Sequence, residues 1–560
     1  SESDTCFISI FKNNNNPKDP ETFLKFDFSD IIFIFIRKYC LRNNSLEIFL
    51  SNHRSYYFKF FDTKSRDDFL SELILLLNKN NPKNKLFKSI KGLDENNKSI
   101  IIGYFKDEEN NKDFSSISII RDLWKNNKIS TLEYLMWINI YGNRSFRDSS
   151  QYPVFPWLLT NHEYKNTKEL IKNMELRNFN YPMGLLCIDD KSKKRQDGYI
   201  ETYKIMVMNL TEENLLNIKI KEEDDIIEQV PINNNNSNTK NFISSSYNPS
   251  YSSINSNEMN NNLNISPSTS EQIIDKYIPK IPEYKFDIEK LYSNLNFEYE
   301  KIPYFFGSHF SNSMYVSHYL MRVFPYCLNM IEIQKAGFDV PERLFINLQK
   351  SIYSSLSDKG DLREIIPEFF TLPEMFLNIN ELNLGKVKKD LYIENNSEIN
   401  ENEEIIKVNE VIMPSWCEKS PFIFSEKYRK ILESQNVNIN PWIDLIFGYS
   451  QRGQPAMQIG NLFLPCMYDE VMNYRVKDED LLNNRNDWEY KIRLFELGVN
   501  PTKVFDKKLT DKKKIMNKQI SDIKGDVDNN LNFIVDNDEQ YENILLISVT
   551  SDVMKLSALI

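Results

Sequence analysis

The chain is interrupted by a tract that cannot carry a core. From KEEDD at 221–225 it runs through NNNNSNTK, SSSYNPSYSSINSN and NNLNISPSTS, an Asn/Ser-rich stretch ending near residue 271. Too few apolar side chains occur there to offset the conformational entropy of ordering it, so the tract reads as a disordered insertion. A second disordered insertion is expected over 386–408, around the acidic YIENNSEINENEE at 392–404. Whatever folds must be assembled from blocks on either side of these interruptions.

The remaining length is enough for one large core or several. A hydrophobic content of 41% and a charged content of 27% are those of a soluble globular protein. The net charge of −11, with no basic stripe carrying interleaved aromatics, argues against a nucleic-acid partner. Cys6, Cys40, Cys187, Cys327, Cys417 and Cys466 are scattered singly, without a C-x-x-C pair, and read as reduced, mostly buried thiols of a cytosolic protein. No apolar run reaches the roughly 18 residues that suggest a membrane span; IIFIFI at 31–36 is too short. The chain begins with Ser rather than Met and is expected to be a piece of a longer protein.

Residues 20–80 alternate like a sheet. DFSDIIFIFIRKYC, LEIFL and SYYFKFF read as successive strands, and SIIIGYF at 99–105 is a further short candidate. In TKSRDDFLSELILLLNKN, Phe69, Leu70, Leu73, Ile74 and Leu77 share one helical face, with Thr63 or Ser65 as N-cap. Strands closed by one amphipathic helix resemble the end of a pleckstrin-homology (PH) fold; its opening strands are missing, diverged or hidden in residues 1–20. A polar linker is expected over 81–115.

Candidate chemistry is sparse. GYSQRGQP at 448–455 follows the strand-like apolar run PWIDLIF and nearly spells a phosphate-binding loop. Such a loop needs Lys and a hydroxyl after its second glycine, where this chain has Gln454 and Pro455. There are four histidines, His53, His162, His309 and His318. His309 and Ser311 stand two apart, which rarely lets side chains meet, and no G-x-S-x-G elbow exists. Glu364, Glu368 and Glu374 invite comparison with a glycosidase carboxylate pair, and Cys187 with Asp189 and Asp190 with a metal site, but the ligand spacing is wrong. The reading is no catalytic residue, no metal and no cofactor.

The larger motifs point elsewhere. WKNNKISTLEYLMWINIYGNRSFRDSSQYPVFPWLL (124–159), LRNFNYPMG (176–184), FFGSHFSNSMYVSHYLMRVFPYCLNMIEIQKAGFDVPERLF (305–345), IIPEFFTLPEMFLNINELNLG (365–385) and PWIDLIFGYSQRG (441–453) occur in this order. Together they closely resemble the BEACH domain of the beige, Chediak–Higashi and neurobeachin proteins, and the sheet-plus-helix region resembles the PH-like variant found just before it. The implied fold is multidomain α+β: a small PH-like sheet with its helix (1–80), then a mainly α-helical BEACH domain with irregular extended core segments (116–510). GVNPTKVF (498–505) replaces the usual GQTP-type closing motif, and 511–560 is expected to hold a linker and the start of a WD-repeat propeller.

Within the matched motifs, Asn139, Arg144, Asp148, Trp157, His309, Glu368, Trp442, Asp444 and Arg452 are the signature residues, structural or partner-binding. Asp444 lies in an apolar run and needs a partner, for which Arg452 and Arg144 are the candidates. Ser130 or Thr131 should cap a helix ending at Gly142. QYPVFPWLL should be extended and buried, Pro367 and Pro373 should break any helix through PEFFTLPEMF, and Pro341 should open a helix carrying Leu344, Phe345 and Leu348. The resemblance implies a non-enzymatic cytosolic scaffold in vesicle, lysosome or autophagy-related traffic, acting through a PH–BEACH surface on trafficking proteins, with peripheral association to vesicle membranes. The alternative is an anionic-lipid module using Arg37, Lys38, Arg42, His53, Arg54 and Lys59.

Overall fold

The computed structural model describes residues 5–10, 22–80 apart from 51 and 53, 101–103, 117–210, 278–281, 288–293, 302–305, 312–334, 337–358, 361–388, 405–469 and 497–509. The 221–271 insertion, His309, His53 and everything beyond 509 lie outside them. Two compact units emerge, one ending at Asp148 and one spanning Ser149–Thr510.

In the first unit, β1 (Thr5–Ile10) pairs antiparallel with β2 (Thr22–Asp27), so the opening strands expected to be missing, diverged or hidden in residues 1–20 are present, β1 inside that stretch and β2 just after it. A four-stranded antiparallel sheet follows, in the order β5 (Ser55–Lys59), β4 (Arg42–Leu50), β3 (Ile31–Tyr39) and β6 (Ile101–Gly103). The continuous apolar run in β3 is explained by burial on two faces. Ile34, Leu46, Ile48 and Leu50 pack with Leu70, Leu73, Ile74 and Leu77 of α1 (Thr63–Asn80). On the other face, Phe33 meets Trp137 edge-on at 5.3 Å and Phe35 meets Tyr141 at 6.2 Å. The α1 cap is neither Thr63 nor Ser65. Asp62 accepts the Ser65 amide at 2.7 Å, while the Thr63 hydroxyl is committed to Asn43 O.

Helices α2 (Ile117–Lys125) and α3 (Thr131–Tyr141) complete this unit. Trp124 stacks on Tyr134 at 4.4 Å, and Ser130 caps α3 through the Glu133 amide at 3.0 Å.

The second unit contains α4 (Thr167–Asn173), α5 (Asp190–Asn209), α6 (Ile288–Ser293), α7 (Ser313–Tyr319), α8 (Tyr326–Gln334), α9 (Leu348–Ser357), α10 (Glu368–Thr371), α11 (Pro421–Glu433), α12 (Asn440–Phe447) and α13 (Gly453–Ile459). Extended segments run between them. Residues 152–159 are all buried and bridge at Phe155↔Ile365 and Leu159↔Leu176, as the two prolines of QYPVFPWLL suggested. Pro367 and Pro373 confine α10 to four residues and start a separate 3-10 turn, Pro373–Phe376. Pro341 departs from expectation: it opens only a 3-10 turn, Pro341–Arg343, and Leu348 begins α9. The reason is that Asn347, whose side chain caps α9 through the Lys350 amide, restarts the helix.

Two further readings change. PWIDLIF is helical, not strand-like: Pro441 sits in the first turn of α12, and Trp442, Ile443, Leu445, Ile446 and Phe447 are buried all round it, which erases both helical and strand periodicity. The expected 386–408 insertion is bounded by paired strands, β7 (Lys386–Lys388) and β8 (Ile405–Lys407), with Val387 buried between exposed lysines. Only 389–404 lies outside the described residues.

Candidate functional site

Three polar centres hold signature residues among those described; His309 lies outside the described residues. The first is in the unit ending at Asp148. On β3 and β4, Arg37 and Glu47 point to the face opposite α1 and form an ion pair at 2.8 Å with side chains only 1% and 4% exposed. Buried charge persists only when fully partnered, and here the loop after α3 supplies the partners. Ser145 Oγ donates to the second Glu47 oxygen at 3.0 Å, and Arg37 Nη1 donates to Ile140 O at 2.9 Å and Asn143 Oδ1 at 3.3 Å. The Arg37 guanidinium also lies 4.7 Å from the Phe35 ring centre. Asn143 adopts a φ of 64°, a left-handed conformation that Asn tolerates.

The same loop grips the β3–β4 hairpin. Tyr39 pairs with Arg42 across a two-residue turn, and both turn residues, Cys40 and Leu41, have positive φ, 47° and 66°. Such turns favour Asn-Gly; here Asp148 Oδ2 accepts the Cys40 amide at 3.1 Å, and Arg147 Nη2 donates to Ser55 O at 3.3 Å. Asn139 is buried in α3 and donates to Leu135 O at 2.9 Å, and Arg144 is 1% exposed. Residues 140–148 thus form a hydrogen-bond hub with the β3–β4 hairpin and the start of β5. Sequence reading missed its anchor, because Arg37 had been placed in a lipid-facing basic set.

The second centre, within the other unit, is Glu364. Arg177 closes it bidentately at 2.6 and 2.8 Å, Trp442 Nε1 donates at 3.1 Å, and the Trp157 amide donates at 3.4 Å. Trp157 Nε1 donates to Arg363 O at 3.0 Å. Two signature tryptophans thus converge on one carboxylate. A signal was available: an acid inside an apolar stretch, with Arg177 in LRNFNYPMG as a possible cation. Four residues on, Glu368 accepts the Tyr152 hydroxyl at 2.5 Å, and burial lifts its acid to about 7.

The third centre joins PWIDLIFGYSQRG (441–453) to the segment 498–509 that begins with GVNPTKVF. Asp444 is held by backbone amides and not by a guanidinium: its oxygens accept from Leu509 N at 3.3 and 3.2 Å, and Arg452, at the N-cap of α13, forms no ion pair with it among the described residues. Burial raises the Asp444 acid to about 6 against the lowering effect of the Leu509 and Tyr449 amides. The two glycines do different work. Gly453 has a φ of +72°, whereas a Cβ on Gly448 would come within 3.0 Å of Asp444. Gln451 Nε2 donates to Ile446 O at 2.6 Å and Pro501 O at 2.8 Å, and the Val504 and Phe505 amides donate to Phe447 O. GVNPTKVF therefore docks on the C-terminus of α12 despite its departure from the usual closing motif.

Among the described residues no group of His, Cys, Asp and Glu could hold a metal ion, and no helix is long and apolar enough to cross a membrane.

Comparison with known proteins gives matches along most of the chain. The model of the Beige/BEACH domain matches residues 122–216 and 235–512, and that of the PH domain associated with Beige/BEACH matches residues 2–74. Beige protein homolog 1 of Saccharomyces cerevisiae is 26% identical over 524 residues, covering 90% of this chain and 19% of that protein. The human lysosomal-trafficking regulator is 27% identical over 453 residues, 80% of this chain and 8% of its own length. BEACH domain-containing protein lvsE of Dictyostelium discoideum is 26% identical over 483 residues, 85% of this chain and 16% of that protein. The chain spans less than a fifth of the length of each.

Proposed function

The chain belongs to the Beige/BEACH family, and from that premise we propose that it is the partner-recruiting portion of a non-enzymatic scaffold in vesicle and lysosome traffic. The observation that carries this reading is the Arg37–Glu47–Ser145 centre. Residues of the PH-type match and residues of the BEACH-type match share one buried polar network within one unit. A surface built across both is then rigid enough to present to a partner without paying for ordering at the moment of binding. The human relative named a lysosomal-trafficking regulator supplies the direction. The carboxylates that could suggest hydrolysis are engaged in packing: Glu364 is closed by Arg177 and two tryptophans, and Glu368 is bound by a tyrosine.

The test is recruitment. A tagged chain expressed in cells should concentrate on vesicle membranes and alter lysosome size, and Glu47→Ala, which strands Arg37, should weaken both. A diffuse chain with unaltered lysosomes would overturn the reading.

A second reading, contact with anionic lipid, is favoured by one observation: Arg42, Arg54 and Lys59 are exposed and form no ion pair among the described residues. Arg37 leaves that basic set, because it is buried against Glu47. Sedimentation with anionic vesicles decides it, and binding that is absent or insensitive to salt removes it.

A further inference from the structure

The buried carboxylates of the second unit differ in how their charge is met. Glu364 has Arg177; Asp361 has Arg363 at 2.6 and 2.5 Å and the Ser354 hydroxyl at 2.8 Å; Asp444 has backbone amides. Glu368 has neither a cation nor an amide from another segment. Its carboxylate meets the Tyr152 hydroxyl, which donates to Oε1 at 2.5 Å, and its own backbone amide, and the Tyr152 oxygen in turn lies 3.5 Å from the Tyr326 hydroxyl. Its Oε2 is buried with no donor among the described residues.

The groups on the surrounding elements do not supply a cation. On α11, Arg429 Nη2 donates to Phe370 O at 3.0 Å and Tyr428 stacks on Phe370 at 5.2 Å. On α8 the titratable groups are Tyr326, the buried Cys327, whose thiol burial pushes up, and the exposed Glu332, and on the 3-10 turn after α10 there is Glu374. From α7, Tyr319 packs against Phe369 at 5.0 Å beside His318, and upstream Arg363 is paired with Asp361. Glu368 makes no ion pair with any of them among the described residues.

We propose that Glu368 is a proton-binding site: its carboxylic acid form packs the junction of residues 149–159, α8 and α10, and its ionisation loosens that junction. The chemistry is that of a carboxyl group sealed in apolar surroundings, where the charged form has lost water and gained one phenol and its own backbone amide but no cation. Burial accordingly moves the acid from its ordinary 4.5 to about 7. A raised carboxylate means that the folded chain binds more protons than the unfolded one between these two values. Stability is therefore fully present below about 4.5, falls as pH rises through the window, and stays low above about 7.

The experiment compares the whole chain with Glu368→Gln and Tyr152→Phe, by urea unfolding from about pH 5 to about pH 8. Hydrogen exchange, corrected for intrinsic amide chemistry, is followed over 149–159, 326–334 and 365–376. Glutamine keeps the acceptor and cannot ionise, so the wild-type unfolding constant should rise about a hundredfold more than the variant's across that range. Exchange should quicken locally only in the wild type. Tyr152→Phe keeps the ring and removes the one side-chain donor to the anion, so it should move the wild-type transition to higher pH. Parallel pH profiles for wild type and Glu368→Gln would overturn the proposal. If Glu368→Gln does not fold, Tyr152→Phe decides alone: a transition left in place or moved to lower pH overturns it.

Discussion

Trp442 and Glu364 show how a residue's role follows from what its polar atoms meet. Trp442 is fully buried, and its indole N–H reaches a carboxylate that also neutralises Arg177. Trp442→Ala should cost about 3–5 kcal/mol through the cavity it leaves. Glu364→Ala should cost a similar ~3–5 kcal/mol by stranding a buried guanidinium, and adding Arg177→Met should recover part of that loss in the same thermal melts. Asp444→Ala should cost less, about 1–3 kcal/mol, because the group left unmatched is a backbone amide. An Asp444→Ala chain that melts like the parent yet no longer reaches vesicles would instead place the residue on a binding surface. His162 works in the opposite pH direction to Glu368. It is enclosed by Trp157, Phe424 and Tyr428, and burial lowers it from 6.5 to about 3. The unfolded chain takes up this proton first, so stability should drop by up to about 1.4 kcal/mol per pH unit below about 6.5. His162→Phe should flatten that acid limb in a pH series of melts; an unchanged limb would mean the ring is not the group titrating.

At the scale of the element, the β3–β4 hairpin carries strain that its neighbour in sequence space would not reveal. Cys40 and Leu41 both adopt positive φ, a conformation that costs L-residues about 1–2 kcal/mol each. Leu41→Gly should therefore stabilise the first unit by roughly 1 kcal/mol, read as a higher melting temperature. Asp148→Ala should do the reverse, since the Cys40 amide loses its acceptor. Equal melting temperatures for the two variants would show that the loop 143–148 does not hold the turn. The α12 helix gives the complementary case. Its C-terminus is closed by Gln451 and by the Val504 and Phe505 amides, so the helix ends where other chain segments satisfy its carbonyls.

For the whole molecule, the division that matters is between what shares a core and what does not. The PH-type sheet buries Phe33 and Phe35 against α3, so a fragment ending near residue 115 would expose an aromatic face together with an unmatched Arg37–Glu47 pair. That fragment should be insoluble or melt far below a fragment ending at 148; equal, independent stability would contradict a shared core. Deleting about 232–270 should leave the melting temperature nearly unchanged, because the cost of loop closure grows only slowly with length. Loss of soluble protein on that deletion would show the tract to be structural.

What the sequence determined by itself is carried by local chemistry, although the α1 cap at Asp62 and the 3-10 turn at Pro341 escaped it. A cap at Ser130 or Thr131, the breaks at Pro367 and Pro373, the extended QYPVFPWLL and the amphipathic face of α1 all follow from propensities that act within a few residues. The family motifs were legible for the same reason: their residues stand in fixed local order. Tertiary structure alone decided the partners. PWIDLIF looked like a strand because burial on every side removes periodicity, and only packing shows it to be a helix. Asp444 found amides 65 residues on, Glu364 found Arg177 187 residues back, and Arg37 found the α3 loop more than 100 residues away. A buried charge announces in sequence that it needs a partner; which one it meets depends on contacts that no local rule encodes.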